Sequence, residues 1–290
     1  MKKILITGGA GSVGSEMTHV LTGRGNQVRV FDLPICDFGA LDGLEGVEIV
    51  TGDITNADTV QAAVRGMDVV LHLAALLPPV SERNREKTFA VNVGGTENLV
   101  QAIKTDGGQA RMIFASSVAT YGNTMDEEPP IRADHPQSAV DIYGESKIEA
   151  DRAILESGIP YTILRVSGIV IPALLDPPDP WPFMRAQRME FVNRADVVTA
   201  LLAAVEREEA TNKVLIIAGG ESWQMLGHEY VEKVFELWDI PIEDASYREE
   251  PWWSDWYDTT ESQAILDYQH TSFTEFLKQL DQAILEALGW

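Results

Sequence analysis

Two side chains of the 290-residue sequence stand at a spacing suited to proton transfer: Tyr143 and Lys147. Residues four apart share one helix face, one turn apart. Ile142 to Glu156 reads as such a helix, ended by Gly158 and Pro160. A free phenol ionises near pH of about 10, so it needs help to act as a base near neutrality. An ammonium beside it favours the phenolate, and a lysine can also hold a ribose. Ser116 and Ser117 follow an apolar strand, Ala110 to Ala115. The carboxyl edge of a parallel sheet is where ligands bind, and a serine hydroxyl there can hydrogen-bond a reacting oxygen.

A hydride or proton carrier for such a pair has its own signal at the other end of the chain. Lys3 to Thr7 is a short β-forming run, Gly8, Gly11 and Gly14 follow at three-residue spacing, and Ser15 to Leu21 carries apolar residues at helical spacing. Strand, glycine turn and helix suit a dinucleotide pyrophosphate. Gly8 allows a tight turn, Gly11 lets backbone N–H groups approach the phosphates, and Gly14 lets the helix pack close to the strand. Asp32 ends the next strand, Gln27 to Phe31. A carboxylate there accepts from ribose hydroxyls and repels a 2′-phosphate, so NAD is expected over NADP. Asp53-Ile54 follows a third strand, where a carboxylate reaches the adenine amino group; a plain turn residue is the competing reading.

Further strands are expected at Asp68 to Leu73, Tyr161 to Val166 and Val214 to Ala218. Helical patterns separate them at Thr55 to Val64, Lys87 to Lys104 and Asp196 to Glu206. Alternation of this kind predicts an α/β fold with a doubly wound parallel sheet. Pro172 to Gln187, with four prolines, Trp181 and Phe183, excludes a regular element and predicts a lid or edge loop. Thr260-x-x-Gln263 and Ser272-x-x-Glu275 read as capping boxes. The expected division is 1–166 with 190–218 as the nucleotide-binding domain, and 167–189 with 219–290 as a smaller, mostly helical substrate cap. The Trp252, Trp253 and Trp256 group is expected to pack that cap onto the core, with an apolar substrate wall as the second reading.

Net charge is −23 at pH 7, from 45 acidic against 22 basic residues. That argues against nucleic acid or an anionic membrane as partner. No apolar run reaches membrane-spanning length, no signal-peptide core precedes the glycines, and a cytoplasmic location is expected. The one cysteine, Cys36, has no internal partner, and no Cys/His cluster of metal-binding type is present.

The sequence resembles the extended short-chain dehydrogenase/reductases, the NAD-dependent epimerase/dehydratase family with its Rossmann fold. The matching residues are TGGAGSVG (Thr7–Gly14), Asp32, Gly52-Asp53-Ile54, His72-Leu-Ala-Ala75, Asn92-Val-Gly-Gly-Thr96, Ser116-Ser117-Val-Ala-Thr-Tyr121-Gly, Tyr143-x3-Lys147 and Leu164-Arg165. The resemblance implies a catalytic Ser117, Tyr143 and Lys147, the serine counted back four residues from the Tyr121-Gly pair. It implies NAD held along Gly8, Gly11, Ser12, Val13, Gly14, Asp32, Asp53, Ile54, Leu73, Ala74, Ala75, Tyr143, Lys147 and Val166. Asn92 would support the site through backbone or water contacts. A homodimer through the helices at 84–105 and 142–157 is a further implication.

Two departures bear on the substrate. Gly168 stands where many sugar-nucleotide members carry a substrate-binding asparagine. Met189-Glu190-Phe191 stands where they carry an Arg-Asp-Phe/Tyr whose arginine grips a pyrophosphate, and Arg188 is one residue early. Arg185, Arg188 and Arg194 remain candidates to reach a phosphate from a loop, and Ser117, Ser167, Arg185 and Arg188 are the candidate substrate contacts. Val118-Ala119 after Ser117 disfavours dehydration. The first expectation is a nucleotide-sugar epimerase with retained NAD. Its alternative is a net NAD-dependent dehydrogenase or reductase of a smaller hydroxy or keto compound. A non-catalytic nucleotide-sensing protein is the remote one.

Overall fold

A computed structural model describes residues 1–289. The strands in chain order are β1 (Lys3–Thr7), β2 (Gln27–Asp32), β3 (Val47–Thr51), β4 (Val69–His72), β5 (Arg111–Ser117) and β6 (Tyr161–Val166). Then come the short β7 (Ile169–Val170), β8 (Arg188–Met189) and β9 (Val192–Asn193), followed by β10 (Lys213–Ile217) and the short β11 (Met225–Leu226). The helices are α1 (Ser12–Gly23), α2 (Ala57–Val64), α3 (Arg85–Phe89), α4 (Gly95–Thr105), α5 (Ile142–Leu155), α6 (Arg194–Glu206), α7 (Gly227–Trp238), α8 (Thr260–Leu266) and α9 (Phe273–Leu288).

Seven strands form one sheet in the order β10-β6-β5-β4-β1-β2-β3, and every pair in it is parallel. This is the expected doubly wound Rossmann sheet. Alternate side chains of each strand serve opposite faces. Ile4 and Ile6 pack with Met17 of α1 and Leu201 of α6, whereas Leu5 packs with Val60 of α2, Leu99 of α4 and Ile154 of α5. Both faces are covered, so the strands read as continuous apolar runs rather than alternating ones. The chain reverses direction across the sheet between β1 and β4, and the crevice outside that point is the ligand position of such folds.

A third apolar cluster lies in the C-terminal part, built from Trp181, Phe183, Phe191, Trp223, Tyr230 and Phe276 among others. The 171–187 stretch carries no helix or strand, as its prolines require. Glu190, fully buried, stitches this part to the sheet: its carboxylate accepts from the backbone N–H of Gly220 and of Tyr257, both at 2.8 Å, and from Gln224. Burial pushes its carboxyl up to about 7.

Local details correct several expectations. The helix after β3 is capped by Asn56, whose side chain accepts from the N–H of Asp58 and Thr59, because Thr55 is drawn into a turn by Asp53. Ser272 caps α9 as expected. Thr260 is the first residue of α8 and not its cap; Asp258 accepts from its N–H. The helix expected from Lys87 to Lys104 is a continuous helical run, α3 to α4, with a π-helical turn at Ala90–Gly94. That extra residue per turn, frequent at functional sites, carries Asn92.

The glycine turn is the tightest contact in the sheet's crevice. Gly8 has φ +71°, and a Cβ on Gly14 would lie 2.3 Å from the Gly8 carbonyl oxygen. Backbone on both sides leaves nothing to yield. Gly14→Ala is therefore expected to destabilise the protein by about 1–3 kcal/mol, the usual cost of overpacking, and to weaken NAD binding. Urea denaturation with a parallel NAD titration measures both, and wild-type values in the variant would refute the close approach.

Candidate active site

The expected residues converge on the carboxyl ends of the strands. Gly8 to Gly14 follow β1, Asp32 ends β2, Asp53 and Ile54 follow β3, Leu73 to Ala75 follow β4, Ser117 ends β5, and Val166 and Ser167 end and follow β6. Gly11 opens α1, and no side chain caps that helix. Its free N–H groups and dipole are a ready site for an anion. The Asp32 carboxylate accepts from the Ala10 N–H at 3.0 Å, from the Leu33 N–H and from the Cys36 thiol. It thus braces the glycine loop from the end of β2. A crowded turn, an uncapped helix end and a strand-end carboxylate together fit a dinucleotide.

Several expected cofactor residues also have partners within the chain. Ile54 is a core residue packed against Gly95. Asp53 is exposed and holds Thr55 through its carboxylate. Ala74 packs against Gly8, while Val13, Leu73, Ala75 and Val166 line the main cavity. Asn92 meets backbone with its side chain: it accepts from the Leu76 N–H at 2.7 Å and donates to the Leu76 carbonyl, and it donates to the Ser146 hydroxyl as well. It clamps the 73–76 segment to α5, and the π turn is what brings its side chain there.

Ser117, Tyr143 and Lys147 face one cavity of about 540 Å³. Ser117 accepts from the Ala119 N–H, which leaves its own proton free to donate. Burial raises the Tyr143 phenol well above its ordinary range, and the hydroxyl of Ser117 draws it partly back. Ser117, and not Ser116, is therefore the serine beside the phenol. The Ser116 hydroxyl is sealed from solvent beside Asp151. Lys147 donates to the Ala115 carbonyl at 2.7 Å and lies over the Phe114 ring. Burial lowers its ammonium to about 8, partly offset by Asp151 one turn further along α5.

The helix that carries this pair is fixed at both ends. Asp141 caps it through the Gly144 N–H, and Glu82 accepts from the Ile142 and Tyr143 N–H groups. Beneath it, Asp151 pairs with Arg165 at 3.0 Å, and Arg165 also donates to the Tyr121 hydroxyl and the Ala133 carbonyl. Glu82 had no signal in the sequence, because it lies sixty residues from its partners.

The expected substrate arginines are not brought to the cavity. Arg188 is spent on Asp255, at 2.6 and 2.9 Å, and on the Thr124 and Glu127 carbonyls. Arg185 is exposed and does not line the cavity, and Arg194 pairs with Glu16. Met189, at the family's arginine position, is buried in the cap cluster. Gly168 has a steric reason: a Cβ there would lie 2.5 Å from the Phe191 ring. Phe191 fills the place an asparagine would need. Ser167 does line the cavity, its hydroxyl sealed and unpaired. The cavity wall is otherwise Ile169, Val170, Trp181, Phe183, Phe191 and Tyr230, together with Trp252 and Trp253. The last two, for which an apolar wall was the second expectation beside packing the cap, are wall residues, with ring centroids 3.9 Å apart. Tyr230, in a helical pattern, looks like core, and Trp181 falls only in the lid or edge loop, so the sequence marks neither as a site residue.

Residues 4–174, more than half of the chain, match the family model described as the NAD dependent epimerase/dehydratase family. The chain belongs to that family. Among curated relatives of this epimerase/dehydratase member is the 3β-hydroxysteroid dehydrogenase/Δ5→4-isomerase of Mycobacterium tuberculosis, 37% identical over 181 residues, covering 58% of this chain and 47% of that protein. The UDP-glucose 4-epimerase of Streptomyces lividans is 38% identical over 158 residues, covering 52% and 46%. The chain thus spans about half the length of the curated relatives it matches. The fold is shared with a short-chain dehydrogenase/reductase superfamily protein from Agrobacterium tumefaciens solved with bound NAD, at TM-score 0.81, 22% identity, and 99% and 98% coverage of the two chains. It is shared equally with the UDP-glucose 4-epimerase of Thermotoga maritima solved with UDP-glucose, at TM-score 0.82, 20% identity and 99% coverage of both. Among the described residues of this family member, no helix is long and apolar enough to cross a membrane.

His72, 1% exposed at the end of β4, bridges Thr7 at 2.7 Å and Thr96 at 3.0 Å. Burial, with the Lys147 charge nearby, lowers its imidazole to about 3 against an ordinary 6.5. The unfolded chain therefore binds the proton first, and stability falls as pH drops through the window from 6.5 towards 3. One proton costs about 1.4 kcal/mol per pH unit inside that window. Stability measured against pH is expected to lose about this slope in His72→Asn, relative to wild type; equal slopes would show that His72 is not buried neutral.

Proposed function

We propose that this protein is an NAD-dependent dehydrogenase or reductase that interconverts an apolar ring-borne secondary alcohol and its ketone. The observation that carries this reading is the wall of the cavity beside Tyr143, in which Lys147 is the only charged side chain. A nucleotide sugar brings a charged diphosphate, and an anion buried against apolar walls without a cation is strongly disfavoured. Epimerisation of a nucleotide sugar is for this reason the weaker reading. The similarity to a 3β-hydroxysteroid dehydrogenase supports the same substrate class. The cavity, about 540 Å³ in all, takes the nicotinamide end of NAD along Val13, Leu73, Ala75 and Val166 in this reading and leaves its aromatic side to the substrate.

In this reading residues 1–166 and 190–218 hold NAD, and 167–189 with 219–290 close over the substrate. The α1 N-terminus takes the pyrophosphate, and Asp32 takes the adenosine ribose and disfavours a 2′-phosphate. Bound NAD supplies the acceptor for the hydride that leaves the carbinol carbon. Tyr143 receives the hydroxyl proton, and Ser117 donates to the oxygen as it becomes a carbonyl, so alcohol and NAD give ketone, NADH and a proton. Burial keeps the Tyr143 phenol protonated in the ligand-free protein. Base action therefore needs positive charge beside it, and the Lys147 ammonium, turning from the Ala115 carbonyl, is the chain's own source.

The test is NADH absorbance with NAD and a 3β-hydroxysteroid. NADH is expected to accumulate with the wild type, and Tyr143→Phe is expected to lower kcat by about 100-fold or more. Conversion of UDP-glucose to UDP-galactose without net NADH would overturn the proposal.

A further inference from the structure

The cavity has a second polar group on its cap side. Tyr230, on α7, lines the same cavity as Ser117 and Tyr143 and is 7% exposed. Its ring is gripped by Phe191 at 5.1 Å, by Phe273 at 5.7 Å and by Trp181 at 5.9 Å between centroids. Those contacts account for the ring and not for the hydroxyl. Burial alone acts on this phenol; neither a hydrogen bond nor a charge offsets it. No hydrogen bond within the chain engages the hydroxyl, and the side chain that carries it is part of the cavity wall.

An unpaired hydroxyl in an apolar wall carries a desolvation penalty. A phenylalanine would pack in the same cluster without it. A ligand oxygen that pairs with the phenol removes the penalty, and a site built to hydrogen-bond one substrate group discriminates against the analogue lacking it. The partner must be neutral, because Lys147 is the one cation on the wall and it lies beside Tyr143, on the Phe114 ring. We propose that the Tyr230 hydroxyl is a specificity-determining group that hydrogen-bonds a second, neutral oxygen of the substrate, at the end remote from the reacting alcohol. The substrate class narrows accordingly to apolar ring alcohols bearing a distal ketone, hydroxyl or ether. This inference rests on the dehydrogenase reading of the site given above.

The experiment compares two probes with the full chain and NAD. One is a 3β-hydroxysteroid with a ketone on the ring farthest from the hydroxyl; the other is the same steroid with that carbon reduced to CH2. For the wild type, kcat/KM is expected to favour the keto probe by about 3- to 10-fold, the worth of one neutral hydrogen bond. In Tyr230→Phe that ratio is expected to fall to near one, through a rise in KM for the keto probe. A packing role alone would move both probes together. NAD affinity and melting temperature, read on the same variant, report that it is folded. A variant that keeps the wild-type ratio, or a wild type without any keto preference, overturns the inference and leaves the dehydrogenase reading standing. A wild type that binds NAD and oxidises neither steroid overturns both.

Discussion

Asp151 and Arg165 meet at 3.0 Å with almost no access to water, at 0% and 5% side-chain exposure. A buried ion pair is no simple gain in stability, because desolvation offsets much of its attraction. Its value here is geometric. Asp151 lies on α5 one turn beyond Lys147, and Arg165 lies on β6 and reaches Tyr121 and Ala133 besides. Helix, strand and the 118–133 segment are locked in one register, and breaking either partner leaves a charge stranded in the core. The N-terminal end of the same helix is held by Asp141 and Glu82. Tyr143 and Lys147 therefore sit on an element fixed above and below, which is what a proton-transferring pair needs if it is to lose little in reorganisation.

The cavity beside that helix has its character set by substitutions that compensate one another. A glycine at 168 admits the Phe191 ring, and the ring in turn joins Tyr230 and Phe183 in the cap cluster. Moving the arginine by one residue sends it to the other side of the strand, where Asp255 neutralises it. Met189 then fills the vacated place as an apolar residue. Each change alone would leave a hole, a clash or an unpaired charge; together they give a dry aromatic wall.

Much of the fold was legible because it rests on local rules. Lys3 to Thr7, the glycine spacing and Asp32 are adjacent in sequence, and their roles follow from backbone geometry and strand alternation. Tyr143 and Lys147 were legible because four residues make one helical turn. The helix caps were legible only approximately: Asn56 takes the role of Thr55 because a turn at Asp53 competes for the threonine. Trp252 and Trp253 stayed between two readings, core and cavity wall, because an indole packed in a core and an indole lining a cavity obey the same pattern of burial.

The amino-acid sequence by itself determined the parallel sheet, the glycine turn and the candidate reacting residues, since each depends on contacts within a few residues or on strand order. Only the tertiary structure decided what surrounds them. Whether Arg188 meets a ligand or Asp255, whether Gly168 leaves room or is filled by Phe191, and which wall Tyr230 joins are settled by residues that lie twenty to seventy positions apart. Such meetings are fixed by how the cap packs on the sheet, and packing of that range leaves no period or spacing in the chain to read.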